Sequence, residues 1–175
     1  RSLFYPIYST GDSPMSILKV DIINEKTSGN GVAIPGHVVQ VQRSSIGGNI
    51  TTTSSSPVAS GLECAITPKS ATSLIQVQLL GGRSYVQSSQ QLDVSLFKDG
   101  SNTNSVGGGR WESVYSTTNH HHGGYSACYF ETAGSTNART YQVYFDIGSG
   151  TGYFNNSPSN NNEYLVHLVV QEIAQ

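Results

Sequence analysis

Residues 74–80 read LIQVQLL, and the same alternation of apolar and polar side chains recurs at 38–42 (VVQVQ), 92–97 (LDVSLF) and 141–147 (YQVYFDI). Successive side chains of a β-strand point to opposite faces, so a period of two predicts a strand with one buried face. No long window places apolar side chains at helical spacing. The sequence therefore predicts an all-β protein.

Eight runs are candidate strands of one core domain that spans residues 35–175. They lie at 39–42, 62–67, 75–79, 92–97, 111–115, 125–130, 141–146 and 164–173. Glycine, asparagine and serine separate them, as in chains with many short antiparallel strands. We predict an antiparallel β-sandwich, jelly-roll-like in topology.

The turns between the runs have their own signals. Asp99-Gly100 follows a strand and predicts a hairpin turn, because glycine accepts positive φ. Pro68 predicts the end of the second run, because proline cannot donate to a strand ladder. Glycine groups at 81–82, 107–109 and 123–124 are predicted to be further breaks between strands.

The last run, residues 164–173 (YLVHLVVQEI), is apolar on both faces. Such a strand is typically covered on both sides. One face is expected to meet the sandwich core. The other is expected to meet another layer or another subunit.

Composition limits the class of protein. Asp, Glu, Lys and Arg make up 11% of the residues, against about 25% in average globular proteins. The net charge of -2 and the ten tyrosines favour a packed fold over disorder. This balance also gives no electrostatic footprint for nucleic acid or an acidic membrane. An uncharged polar surface suits a protein inside a large assembly, where like charges on neighbouring copies would repel.

The two cysteines, Cys64 and Cys128, both lie in apolar runs. They are interpreted as small buried hydrophobic side chains, with a disulfide between them as the alternative. No apolar run is long enough to span a membrane, and the start of the chain does not resemble a signal peptide. The absence of an initial methionine suggests a fragment or a processed product.

Residues 1–34 differ from the rest. Their apolar side chains form two short runs interrupted by Pro6, Gly11 and Pro14. We predict an extended N-terminal arm that attaches the domain to a partner, and the alternative is an edge strand of the same domain. The attachment residues are predicted to be Phe4, Tyr5, Ile7 and Tyr8.

Four segments, taken in order, resemble a β-sandwich module of tailed-phage virion proteins, above all tail-fibre and capsid-fibre proteins. They are PGHVVQVQ at 35–42, ITPKSATSLI at 66–75, LFKDG at 96–100 and EIAQ at 172–175. The resemblance covers residues 35–175. It implies a structural or attachment protein located in a virion, usually a homotrimer, and does not imply an enzyme. The arm would then bind other virion proteins.

Candidate sites are few. His120 and His122 would share one side of a strand and could bind a metal, and the simpler interpretation is a solvent-exposed polar loop. Aromatic and amide side chains near glycine- and asparagine-rich loops could bind sugars, and packing in the core or at a trimer interface is the alternative. This second set comprises Trp111, Tyr125, Tyr153 and Asn155.

Catalytic motifs are not found. The acidic residues are scattered singly, and the sequence contains no nucleophile elbow, zinc-protease motif or P-loop. We expect a non-enzymatic virion structural protein without a cofactor, acting through oligomeric assembly. A lectin-like tip that binds host glycan is the alternative, and an enzyme acting on surface polysaccharide would require a carboxylate pair at a cleft.

Overall fold

The computed structural model describes residues 34–87, 89–103, 110–117, 121–155 and 164–175. Within these ranges every regular element is a β-strand. The strands are β1 (Val38–Ile46), β2 (Ile50–Thr52), β3 (Val58–Ile66), β4 (Leu74–Val86), β5 (Gln90–Lys98), β6 (Ser101–Asn102), β7 (Glu112–Ser116), β8 (His121–Thr132), β9 (Arg139–Ile147), β10 (Gly152–Asn155) and β11 (Val166–Ile173). All eight predicted strands are present, and β2, β6 and β10 are additional short ones.

The eight longer strands form two antiparallel sheets with jelly-roll topology. The first sheet runs β1-β11-β4-β8 and the second β3-β9-β5-β7. In this set the first strand pairs with the last, the second with the seventh, the third with the sixth and the fourth with the fifth, which is the nesting of a folded jelly roll. The prediction of an all-β sandwich is confirmed.

The core lies between the two sheets and follows the predicted alternation. Side chains that point inward from the central strands are fully buried or nearly so; they include Ile75, Val77, Leu79, Leu92, Val94, Leu96, Tyr141, Val143, Phe145, Leu168 and Val170. Alternate residues of the same strands point outward. The period of two in the sequence therefore reports the two faces of each sheet.

Strand β1 departs from the predicted alternation. Its pairing with β11 shifts between Val38 and Gln40, which marks a β-bulge. Beyond the bulge Gln40 pairs with the fully buried Glu172, and Val41 is 51% exposed. The sequence pattern had suggested that Val41 was a core residue. One extra residue reverses which face each following side chain takes.

Strand β11 lies between β1 and β4, as predicted for a central strand. Val166, Leu168 and Val170 are buried on its inner face, while its outward side chains are half-buried. The outward face is thus covered only in part by the described residues.

Gly81 and Gly82 do not end a strand as predicted. They lie within β4 at an irregularity in its pairing with β8, where both adopt positive φ. The bulge lets β4 continue, beside β11 first and beside β10 afterwards. Gly123 and Gly124 likewise lie inside β8, and the glycines at 107–109 lie outside the described residues. Glycine thus marks bulges here as well as turns.

Replacing Gly82 tests this bulge. Its φ is +67°, and an added Cβ would overlap Cγ2 of Val166 on β11. We expect Gly82→Ala to lower the free energy of unfolding by about 2–4 kcal/mol, from the left-handed conformation and the overlap together. Gly134→Ala is the matched control, because φ is +68° there and nothing lies within 4 Å. Equal melting temperatures for the two variants would contradict the assigned packing.

The two turn predictions hold. Asp99 and Gly100, at φ 51° and 80°, connect β5 to β6 in a two-residue loop, the conformation of a type I′ turn. Strand β3 ends at Ile66, before Pro68.

Residues Ala33–Gln175 cluster as one compact unit. The predicted arm, 1–34, falls outside the described residues except for Ile34, so its attachment role stays a prediction. The described part of the chain contains no helix that is long and apolar enough to cross a membrane.

Candidate functional site

The outward face of the first sheet, called the assembly face below, is the most distinctive surface of the described residues. Pairing registers align its side chains in rows across four strands. Its members are Val38, Val41, Arg43 and Ser45 on β1; His167, Val169, Gln171 and Ile173 on β11; Leu74, Gln76, Gln78 and Leu80 on β4; and Ser126, Cys128, Phe130 and Thr132 on β8.

The assembly face is almost uncharged. Arg43 is its one side chain that carries a full charge, and no carboxylate occurs among the members just named. Glutamine occupies the middle of the face, with Gln76 beside Gln171 and Gln78 beside Val169. Amides can donate and accept hydrogen bonds, so two such surfaces can meet without burying like charges.

Apolar side chains on this face are unusually open to solvent. Seven large apolar residues are exposed in the described part of the chain, and four of them belong to this face: Val38, Val41, Leu80 and Phe130. Val41 and Phe130 end the same row of the sheet, with Gln171 and Gln76 between them. The four side chains lie around the margins of one sheet face, which makes that face the candidate interaction surface.

The two cysteines differ in environment, and neither forms a disulfide. Cys64 is buried as predicted, and burial raises the pKa of its thiol. Cys128 was expected to be buried but is exposed on the assembly face, where Gln76 Nε2 lies 3.4 Å from its Sγ. The outward direction of Cys128 follows from its pairing with Gln78. Only Cys128 therefore presents a thiol to solvent.

The opposite sheet presents a charged outward face. Asp93 on β5 pairs directly with Asp146 on β9. One oxygen of Asp93 accepts bonds from Gln91 Nε2 (2.9 Å) and Ser113 Oγ (2.6 Å), and the other lies 2.7 Å from Arg110 Nε. Burial, and then the charge of Asp93, raise the pKa of Asp146, while Arg110 opposes the shift. Sequence reasoning missed this pair because its members are 53 positions apart.

Two of the predicted sugar-binding residues lie inside the protein. Tyr125 is 3% exposed, stacks on Phe154 and donates its hydroxyl to the Phe154 carbonyl at 2.7 Å. Asn155 is fully buried; its amide nitrogen donates to the carbonyls of Gly48 (3.0 Å) and Tyr164 (2.7 Å). Both side chains thus hold the fold together, and a ligand at the surface would not reach them.

Two other predicted residues meet at one end of the sandwich. The rings of Tyr153 and His122 both contact Tyr85, at centroid distances of 5.2 and 4.8 Å. Arg83 Nε donates to His122 Nδ1 at 3.1 Å, and its guanidinium lies 5.5 Å from the ring centre of Tyr164. Because Nδ1 accepts this bond, it carries no proton in this arrangement. Nδ1 of His122 is thus occupied by the bond from Arg83. His120, the other predicted metal ligand, lies outside the described residues.

Trp111 packs half-buried against the core, immediately before β7. Its backbone N–H donates to the Val94 carbonyl at 2.6 Å. Its indole N–H is buried without a hydrogen-bond partner in the described part of the chain. The four predicted sugar-binding residues therefore do not form one site.

Comparison with protein-family models and with curated proteins finds no match for this sequence. The fold and the assembly face define the chain as a jelly-roll domain with one charge-poor, partly apolar sheet face.

Proposed function

We propose that this chain is a non-enzymatic structural protein of a virion, and that it acts by associating with further copies of itself through the assembly face. The observation that carries the proposal is the combination of four exposed apolar side chains with a single charged one on the same sheet face. A second copy is the occupant that suits this surface, because amide and apolar side chains from neighbouring copies can pack together at a closed symmetric interface with little charge to bury.

Size supports the same occupant. The face is four strands wide and eight residues long on β11. At strand spacings of about 4.8 Å and a rise of about 3.4 Å per residue, its projected area is roughly 500 Å². This is the same order as the about 800 Å² that each partner contributes to a standard interface. The sequence resemblance favours a homotrimer and a tail-fibre or capsid-fibre setting, with the arm as the anchor.

Light scattering at micromolar concentration tests the proposal. We expect the unmodified chain to be a trimer and the double variant Val41→Glu with Phe130→Glu to dissociate, because carboxylates buried at an interface repel and lose hydration. In the double variant the affinity between copies should fall at least about tenfold. Tyr115→Glu is the matched control: Tyr115 is 56% exposed on the other sheet, and this change should leave the trimer intact.

The thiols give an independent measurement. A disulfide-exchange reagent should react with Cys128 rapidly in the dissociated variant and slowly in the assembled chain, whereas Cys64 should stay unreactive in both. A stable monomer, or a trimer whose Cys128 reacts as fast as that of the variant, would contradict association through this face.

A further inference from the structure

A polar pocket lies at one end of the sandwich, between the β5–β6 turn and the loop that joins β8 to β9. Its volume is about 370 Å³, which falls within the range of small-ligand sites. The polar groups that line it belong to Lys98, Asp99, Ser135, Asn137 and Arg139. Three of these positions are in loops, where binding residues are commonly placed on a rigid scaffold.

A half-buried carboxylate, Glu131, holds two of the lining side chains in place. Glu131 accepts hydrogen bonds from Lys98 Nζ at 2.6 Å, Tyr141 Oη at 2.5 Å and Arg139 Nη1 at 3.4 Å. Arg139 Nη2 in turn donates to the Ser135 carbonyl at 3.0 Å. These bonds fix both cations and the loop before any ligand arrives, so binding would require little ordering.

The pocket is balanced in charge. Lys98 and Arg139 both pair with Glu131, and Asp99 supplies a second carboxylate at the wall. The two cations and the two carboxylates sum to zero, so an anionic ligand would find no net positive charge and would be repelled by Asp99 at the wall. A neutral ligand avoids this penalty.

Hydrogen-bonding groups remain available on the walls. Asp99 Oδ1 accepts a bond from the Thr140 N–H at 2.8 Å, which leaves its other oxygen as an acceptor. Among the described residues the side-chain amide of Asn137 has no partner, and Lys98 Nζ donates only to Glu131. A carboxylate next to an amide and an ammonium offers acceptors and donors side by side.

We infer that this pocket binds a neutral saccharide of one or two sugar units. A sugar hydroxyl donates and accepts at once, so a vicinal diol matches the Asp99, Asn137 and Lys98 groups together. The pocket lacks an aromatic lining side chain for stacking, and the expected affinity is consequently in the millimolar range. The inference is independent of the assembly face, which is formed by other residues on the first sheet.

Ligand-observed NMR with the full chain tests the site, using glucose, galactose, mannose, N-acetylglucosamine and their disaccharides as probes. We expect saturation transfer to at least one neutral sugar. Asn137→Ala and Asp99→Asn should each weaken that binding about tenfold, the effect of one lost hydrogen bond. Asparagine tolerates the positive φ of position 99, so this variant keeps its turn.

Thr136→Ala is the matched control, because Thr136 is exposed in the same loop but does not line the pocket; it should bind as the unmodified chain does. Three results would overturn the inference: no transfer to any of these sugars, binding that survives both pocket variants in folded protein, or a preference of more than about tenfold for glucuronic acid over glucose.

Discussion

Replacing Glu172 by alanine is expected to lower the free energy of unfolding by about 3–5 kcal/mol, because it leaves several buried donors without an acceptor. Glu172 is fully buried. Its carboxylate accepts bonds from the backbone N–H groups of Lys69 (2.8 Å) and Ser70 (3.0 Å) and from Gln40 Nε2 (2.6 Å). Urea unfolding should report the loss directly.

The pH dependence of stability provides a second measurement on Glu172. Burial acts to raise its pKa, but the hydrogen bonds from Gln40, Lys69, Ser73 and Ser70 outweigh burial and hold the pKa below its ordinary value. The unfolded chain then binds more protons, so this stabilisation is complete above the ordinary glutamate pKa of about 4.3 and is lost as pH falls through the lowered folded pKa.

Glu172→Gln removes this titration. It should destabilise less than the alanine variant at neutral pH, because one amide oxygen still accepts bonds, and its stability should fall less on acidification. If Glu172→Ala unfolds at the same urea concentration as the unmodified chain, the carboxylate does not stabilise the contacts of β11 with Gln40, Lys69 and Ser70.

Glu131→Ala is the second change with a large expected effect, again about 3–5 kcal/mol. It would leave the guanidinium of Arg139, 8% exposed, without its ionic partner and would also release Lys98 Nζ. The hydroxyl of the fully buried Tyr141 would also lose its acceptor. A drop of about 10 °C in melting temperature should follow for a chain of this size.

The pKa of Glu131 has the same sign of shift as that of Glu172. Burial acts to raise the pKa of Glu131, but the hydrogen bonds from Lys98 and Tyr141 lower it by more, so the pKa lies below its ordinary value. Glu63→Ala is the matched control, because Glu63 is exposed and accepts one bond from Gln142 at 3.2 Å; its loss should change stability by at most about 0.5 kcal/mol. Equal effects for the two variants would refute the proposed role of Glu131.

Three of the four segments that carry the sequence resemblance meet at Glu172. The opening segment supplies Gln40, the 66–75 segment supplies the Lys69 and Ser70 amides, and the closing segment supplies the carboxylate itself. Gln40 also donates to the Thr67 carbonyl at 2.7 Å. These three segments therefore meet at one buried carboxylate, whereas the fourth segment, 96–100, supplies Lys98 and Asp99 to the lining of the polar pocket.

The sequence predicted many of the outward positions of the assembly face, but not all of them. The glutamines of IQVQL predicted the outward positions Gln76 and Gln78, and the doubly apolar strand β11 predicted a second surface to be covered. The outward position of Val41 was not predictable, because it depends on a bulge opposite Glu172. The exposure of Cys128 was also not predictable, because an apolar run does not show which of its residues point outward from β8.

Local side-chain alternation and turn chemistry by themselves determined the class of fold, the eight long strands and the Asp99-Gly100 hairpin, because each depends on residues close together in the chain. Tertiary structure alone decided what lies side by side. Asp93 meets Asp146, Glu131 meets Lys98, and Glu172 meets Gln40 only when strands distant in sequence pair or pack. The charge-poor face and the polar pocket arise from this pairing, since strand register and bulges set which face each side chain takes.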